Sequence, residues 1–110
     1  MEIKVDDNIT LLFSKGTAAT PTAYYDSGSA IRMYQGGAVL DVTAKNSKVI
    51  TSIELTFADN HYYLKADGGE LSAEASVRTW TGEASAVKFT STGTDKNHRA
   101  YISAIKVIYK

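Results

Sequence analysis

Apolar and polar residues alternate along Thr51-Ser-Ile-Glu-Leu-Thr-Phe57, where Ile53, Leu55 and Phe57 are interleaved with Ser52, Glu54 and Thr56. Successive side chains leave a pleated backbone on opposite faces, so this pattern predicts a strand with one face in a core and one in water. Val87-Lys-Phe89 repeats it, and near the C-terminus Ile105, Val107 and Tyr109 alternate with Lys106 and Ile108. Ile9-Thr-Leu-Leu-Phe13 and Val39-Leu-Asp-Val-Thr43 are rich in strand formers with a less regular pattern. Nowhere does an apolar stripe with helical spacing persist over three turns. The best helical stretch, Glu70 to Ala75, is too short to hold itself together.

Turn-forming residues divide these runs at short intervals. Gly36-Gly37 and Gly68-Gly69 can supply the positive φ angles of tight hairpins, and Lys45-Asn-Ser-Lys48, Asp59-Asn60 and Asp95-Lys-Asn97 are polar turn clusters. About nine candidate strands spaced roughly 8–12 residues apart predict an all-β chain, a two-layer antiparallel β-sandwich with jelly-roll-like character and about eight or nine strands. No linker or composition shift divides the chain, so residues 1–110 read as one domain. Pro21 falls in a Thr/Ala-rich connection, where a missing N–H costs nothing. One internal echo links Ile50-Thr-Ser-Ile-Glu-Leu-Thr-Phe57 with Ile102-Ser-Ala-Ile-Lys-Val-Ile-Tyr109. Isoleucines three apart break strict alternation, which predicts a bend or bulge at the entrance to each strand. We read the echo as two central strands of facing sheets meeting similar demands.

Composition narrows the function. Twelve basic residues balance twelve acidic ones, which argues against nucleic-acid binding and against a polybasic membrane-surface module. There is no cysteine, so disulfides, thiol nucleophiles and thiolate zinc sites are ruled out. No apolar run approaches the length of a membrane span, and the opening MEIKVDDNIT lacks the basic and apolar regions of a signal peptide.

Two segments carry a family resemblance: Tyr24-Tyr-Asp-Ser-Gly28-Ser-Ala-Ile-Arg32-Met-Tyr34, and Trp80-Thr-Gly82-Glu-Ala84-Ser-Ala-Val87-Lys-Phe89 followed by Ile102-Ser-Ala-Ile105-Lys-Val107-Ile-Tyr109. Together they resemble accessory β-sandwich domains, jelly-roll or galactose-binding-like, of secreted and surface proteins from gut anaerobic bacteria. The resemblance spans about Ile9 to Tyr109. It implies a non-catalytic module of a longer extracellular or cell-surface protein, and it transfers no binding residue.

No catalytic constellation is visible. His61 and His98 are the only neutral-pH acid–base side chains, both in apparent loops, and no nucleophile elbow, zinc-binding helix or complete phosphate loop occurs. The chain is therefore expected not to be an enzyme, and no cofactor is implied. Oxygen-rich turns at Asp6-Asp-Asn8, Asp59-Asn60, Asp67 and Asp95 could hold a structural calcium, which takes about six to eight oxygen ligands. The competing reading has these side chains bonding their own backbone.

The aromatics carry the functional expectation. If Tyr24-Tyr25 and Tyr62-Tyr63 are extended, at most one ring of each pair faces the core. Tyr62 shares a face with Leu64, which leaves Tyr63 outside. Ile31 and Met33 read as core, which puts Arg32 and Tyr34 outside together. Trp80 has Arg78 and Ser76 as face-mates, a pairing that suggests exposure. The candidate site is thus Arg32, Tyr34, Trp80, Tyr63, Asp26 and Tyr25. Outward rings stack on the C–H faces of pyranoses while Arg and Asp bond hydroxyls, so the expected ligand is a glycan bound weakly. The alternative is a structural module that meets a protein surface, or weakly self-associates, through the same rings.

Overall fold

The computed structural model describes residues 1–110. Its strands are β1 (Glu2–Lys4), β2 (Ile9–Ser14), β3 (Ala23–Tyr25), β4 (Ala30–Met33), β5 (Val39–Ala44), β6 (Ile50–Tyr62), β7 (Leu64–Ala66), β8 (Glu70–Leu71), β9 (Val77–Ala84), β10 (Ala86–Ser91) and β11 (Ala100–Tyr109). They form two antiparallel sheets, ordered β1-β2-β5-β10-β7 and β3-β4-β11-β6-β9-β8. The β-sandwich predicted from alternation is therefore present. Its eleven strands exceed the expected number because β1, β3, β7 and β8 are only two or three residues long.

The alternating segments supply the core. Ile53, Leu55 and Phe57 of β6 point inward beside Met33 of β4 and Ile102 of β11. Across the sandwich they meet Leu11 and Phe13 of β2, Leu40 and Val42 of β5, and Val87 and Phe89 of β10. Burial of these side chains is the main stabilising term.

The two echoing strands, β6 and β11, lie side by side in one sheet and not in facing sheets. The expected irregularities are present, with register shifts between Ile50 and Ser52 and between Ile102 and Ala104. A larger excursion follows in β6. Phe57 pairs with Ile102 and Tyr62 with Ala100, so the segment between them arches out of the ladder. Asp59 and Asn60 supply its left-handed backbone, with φ of 55° and 57°; Asp and Asn tolerate that region better than most residues.

The glycine pairs turn a different corner from the one expected. Gly36-Gly37 joins β4 in one sheet to β5 in the other, and Gly68-Gly69 joins β7 to β8 across the same gap. Their positive φ angles, 93° and 107° at Gly36 and Gly37, serve inter-sheet corners instead of hairpins.

Near the β1–β2 turn, Asp6 Oδ1 accepts from the backbone N–H groups of Asn8 and Ile9, and Oδ2 accepts from the Tyr109 hydroxyl at 2.9 Å. Asn8 donates to the same hydroxyl, and Asn46 donates to Asn8. The turn is thereby laced to the end of β11. The backbone N–H of Asn8, followed by the Tyr109 hydroxyl, holds the Asp6 carboxyl below its ordinary pKa.

Where the β1 edge of one sheet faces β4 and β11 of the other, the layers part into an apolar groove of about 250 Å³. Ile3, Val5, Leu11, Ile31, Ile102 and Ile105 line it.

Candidate functional site

The site is built on β4 and β11, which run antiparallel with Arg32 opposite Tyr101 and Met33 opposite Ala100. The same triplet stands where the two strands meet, Arg32-Met-Tyr34 running one residue past the end of β4 and Arg99-Ala-Tyr101 starting one residue before β11. The middle residues, Met33 and Ala100, are fully buried. Alternation then sends both arginines and both tyrosines to the outer face of the sheet. Because the strands are antiparallel, like residues fall on diagonals, and each arginine lies against the other strand's tyrosine. The Arg32 guanidinium carbon is 4.7 Å from the Tyr101 ring centre, and that of Arg99 is 4.5 Å from the Tyr34 ring centre. The result is a checkerboard of two cations and two rings, held by cation–π attraction.

Neighbouring elements fasten this grid. Arg99 donates to Gln35 Oε1 at 2.7 Å and to the Tyr101 hydroxyl at 3.0 Å. His61, at the end of the β6 excursion, lays its ring on Tyr101 with centres 4.0 Å apart. Its Nδ1 accepts from the backbone N–H of Arg99 at 3.1 Å. Below the grid, Ser91 donates to the Tyr34 carbonyl and accepts from the N–H groups of Gly37 and Ala38, which fixes the corner that presents Tyr34. Tyr101 is only 6% exposed although it points outward, because side chains of the grid cover it.

Tyr25 of β3 closes one side of the grid. Its ring lies 3.3 Å from the Arg32 guanidinium carbon, so Arg32 has an aromatic contact from each neighbouring strand. Tyr25 remains 40% exposed and Tyr24 57% exposed. A Cβ on Gly28 would come within 2.7 Å of the Tyr25 ring, so glycine there lets the turn press against it. Tyr63 stands on the other flank, its ring edge-on to His98 at 4.7 Å and beside Tyr62 at 4.9 Å. Its backbone N–H donates to Arg99 and its carbonyl accepts from Thr92. Of the expected site residues, the structure brings Arg32, Tyr34 and Tyr25 into one patch, with Tyr63 on its rim. Asp26 begins a 3₁₀ turn directly after Tyr25, exposed and without an ion pair to Arg32.

Trp80 does not belong to the site. It is 2% exposed, points into the core from β9, and donates its indole N–H to the Gly68 carbonyl at 2.7 Å. Its face-mate Arg78 suggested exposure because arginine is rarely buried, yet Arg78 is 6% exposed. The Arg78 guanidinium donates to the carbonyls of Ser72, Tyr62 and Leu64 at 2.8–3.1 Å. Those carbonyls sit where the chain passes between sheets and leaves the ladder, and this is why an inward arginine is stable here.

Arg99, Tyr101 and His61 escaped the aromatic reading of the sequence. The signal was the repeated Arg-x-Tyr triplet. Asp67 and Asp95 of the oxygen-rich turns, like Asp6, accept backbone hydrogen bonds. Asp67 accepts from the backbone N–H of Lys88, and Asp95 accepts from that of Asn97 and pairs with His98 at 2.7 Å. No group of three His, Asp or Glu side chains gathers around a common point.

His61 gives the site a pH signature. Burial, then the nearby Arg99 charge, push its pKa below the ordinary value of 6.5; Arg32 and His98 add to this and Asp59 opposes it. A depressed pKa means that the unfolded chain takes up the proton first. Stability is therefore fully present above about pH 6.5 and declines as the pH falls toward the folded-state value. Denaturant midpoints measured between pH 7.5 and 5 are expected to fall, and to fall less in His61→Gln, which can still accept from the Arg99 N–H. Equal slopes in the two proteins would refute the assignment.

Comparison of the chain with protein-family models, with curated proteins and with solved structures gives no match.

Proposed function

We propose that this chain is a non-catalytic carbohydrate-binding module whose site is the outer face of β3, β4 and β11. The observation that carries this reading is the Arg/Tyr checkerboard flanked by the half-open ring of Tyr25. Pyranoses present apolar C–H faces to rings and hydroxyls to fixed donors, and a shallow patch with a few apolar surfaces and convergent polar groups suits them. The pairing of arginines with rings keeps both side-chain types ordered before a ligand arrives, which lowers the entropic cost of binding. The resemblance to accessory domains of secreted and surface proteins favours the same role. A second reading, contact with a protein partner or a second copy, draws on the apolar groove between the β1 edge and β11.

A glycan array followed by calorimetry tests the proposal. Weak binding is expected, reduced about tenfold or more in Tyr34→Ala and in Tyr25→Ala, each of which removes a hot-spot-type aromatic contact. Melting temperatures should move by only a few degrees, since both rings lie outside the core. An array without hits, together with self-association in light scattering that Val5→Asp abolishes, would replace this reading with the second.

A further inference from the structure

Neither arginine of the checkerboard has an acidic partner. The ion pairs of the structure join Lys4 to Asp7, His98 to Asp95 and Lys110 to Glu83, all outside the grid. Three acids lie around the patch: Asp26 after Tyr25, Asp59 beside His61, and Asp95, which is committed to His98. None bonds Arg32 or Arg99. The Arg32 guanidinium reaches phenol oxygens, those of Tyr34 and Tyr25, and no carboxylate, while its Nε is buried beside the rings without a partner. Arg99 spends its hydrogen bonds on neutral oxygens, those of Gln35 and Tyr101. Two guanidinium groups thus meet the same tyrosine, Arg32 over its ring and Arg99 at its hydroxyl, in a chain whose acids and bases are equal in number. Like charges set close together on a sheet face oppose each other. An unsatisfied buried donor adds a further cost.

We propose that the ligand of this patch is an acidic sugar, whose carboxylate or sulfate is held between Arg32 and Arg99 while its ring packs on Tyr25 or Tyr34. A planar guanidinium matches either anion with two parallel N–H···O bonds, and here both forks are already oriented by aromatic neighbours. His61 adds a neutral donor at the rim. Its Nδ1 is occupied as an acceptor, so in the neutral ring the proton resides on Nε2. This inference rests on the carbohydrate-binding reading and adds the sign of the ligand's charge to it.

The experiment compares matched pairs by calorimetry: oligogalacturonate with its methyl ester, and a sulfated galactan oligosaccharide with its desulfated form. In each pair the sugar faces are the same and only the charge is lost. The expected result is that at least one acidic member binds about tenfold or more tightly than its neutral counterpart. That advantage should shrink as salt rises from about 50 to about 300 mM, because screening weakens exposed pairs. The pair that responds tells carboxylate from sulfate. Arg32→Gln and Arg99→Gln should each weaken the acidic member by a larger factor than its neutral counterpart, so that most of the advantage is lost. Arg32→Lys should restore only part of it, since an ammonium cannot make the two-bond fork. Melting curves of the variants show that each is folded. Equal binding of acidic and neutral members would overturn the acidic-sugar inference and leave the carbohydrate reading standing. Absence of any binding would remove both. Acid binding that survives both glutamine substitutions would place the charge recognition elsewhere and end the proposal.

Discussion

Trp80→Ala is expected to destabilise the fold by about 3–5 kcal/mol, the range for truncating a large buried aromatic. The indole is among the largest fully buried side chains and lies between Ile53 and Leu71, its neighbours across β6 and β8. Its far edge meets backbone: a Cβ on Gly69 would stand 2.5 Å from Nε1, and one on Gly82 would stand 2.8 Å from Cζ2. Backbone so close cannot collapse easily into the space left behind, which favours the upper part of the range. The indole N–H also satisfies the Gly68 carbonyl at an inter-sheet corner, and alanine leaves that acceptor without its donor. In a domain of this size the loss corresponds to about 15–20 °C in melting temperature. Trp80→Phe keeps most of the apolar volume and should recover more than half of the loss. A melting curve for Trp80→Ala within a few degrees of the parent would contradict the buried placement.

Arg78→Met is the second large effect, at about 3 kcal/mol. Methionine replaces the aliphatic stem and fills the space, so the change isolates the guanidinium. Three carbonyls lose their donor together, and each acceptor left buried costs about 1–3 kcal/mol less whatever water can reach it. The arginine itself opposes part of this, because burial disfavours its charge; the nearby Glu74 partly counters that and pulls the pKa back up. Arg78→Lys should fall between, since one ammonium cannot serve carbonyls of Ser72, Tyr62 and Leu64 with the same geometry. Chemical denaturation of the three proteins measures the ordering. A methionine variant as stable as the parent would mean that the carbonyls find other donors.

The fold was legible because its central strands are half-wet. Ile53, Leu55 and Phe57 alternate cleanly, and alternation reports which face is buried whatever the neighbours are. The site was legible only in part. Arg32 and Tyr34 could be placed outside from Ile31 and Met33 alone, but Tyr101 needs to be seen opposite Arg32, and pairing across about 70 residues is not written in local pattern. Arg78 and Trp80 failed for a different reason. Charge predicts exposure only while backbone acceptors are satisfied elsewhere, and at the passage from β6 to β7 they are not. The two-Gly corners misled in a milder way, since a positive φ specifies a sharp reversal and leaves open whether it stays within one sheet.

The order of strands decides when the molecule can exist. Strand β11, last in sequence, lies between β4 and β6 at the middle of its sheet. A nascent chain that has reached only residue 99 therefore holds two fragments of that layer with nothing to join them, and the edges of β4 and β6 that β11 would pair stay open. Tyr101, the ring that both arginines of the patch meet, is missing at the same moment. Such dependence on distant partners belongs to slow, high-contact-order folding, in milliseconds to seconds, and makes the final strand the step that converts a collapsed chain into a ligand-ready one.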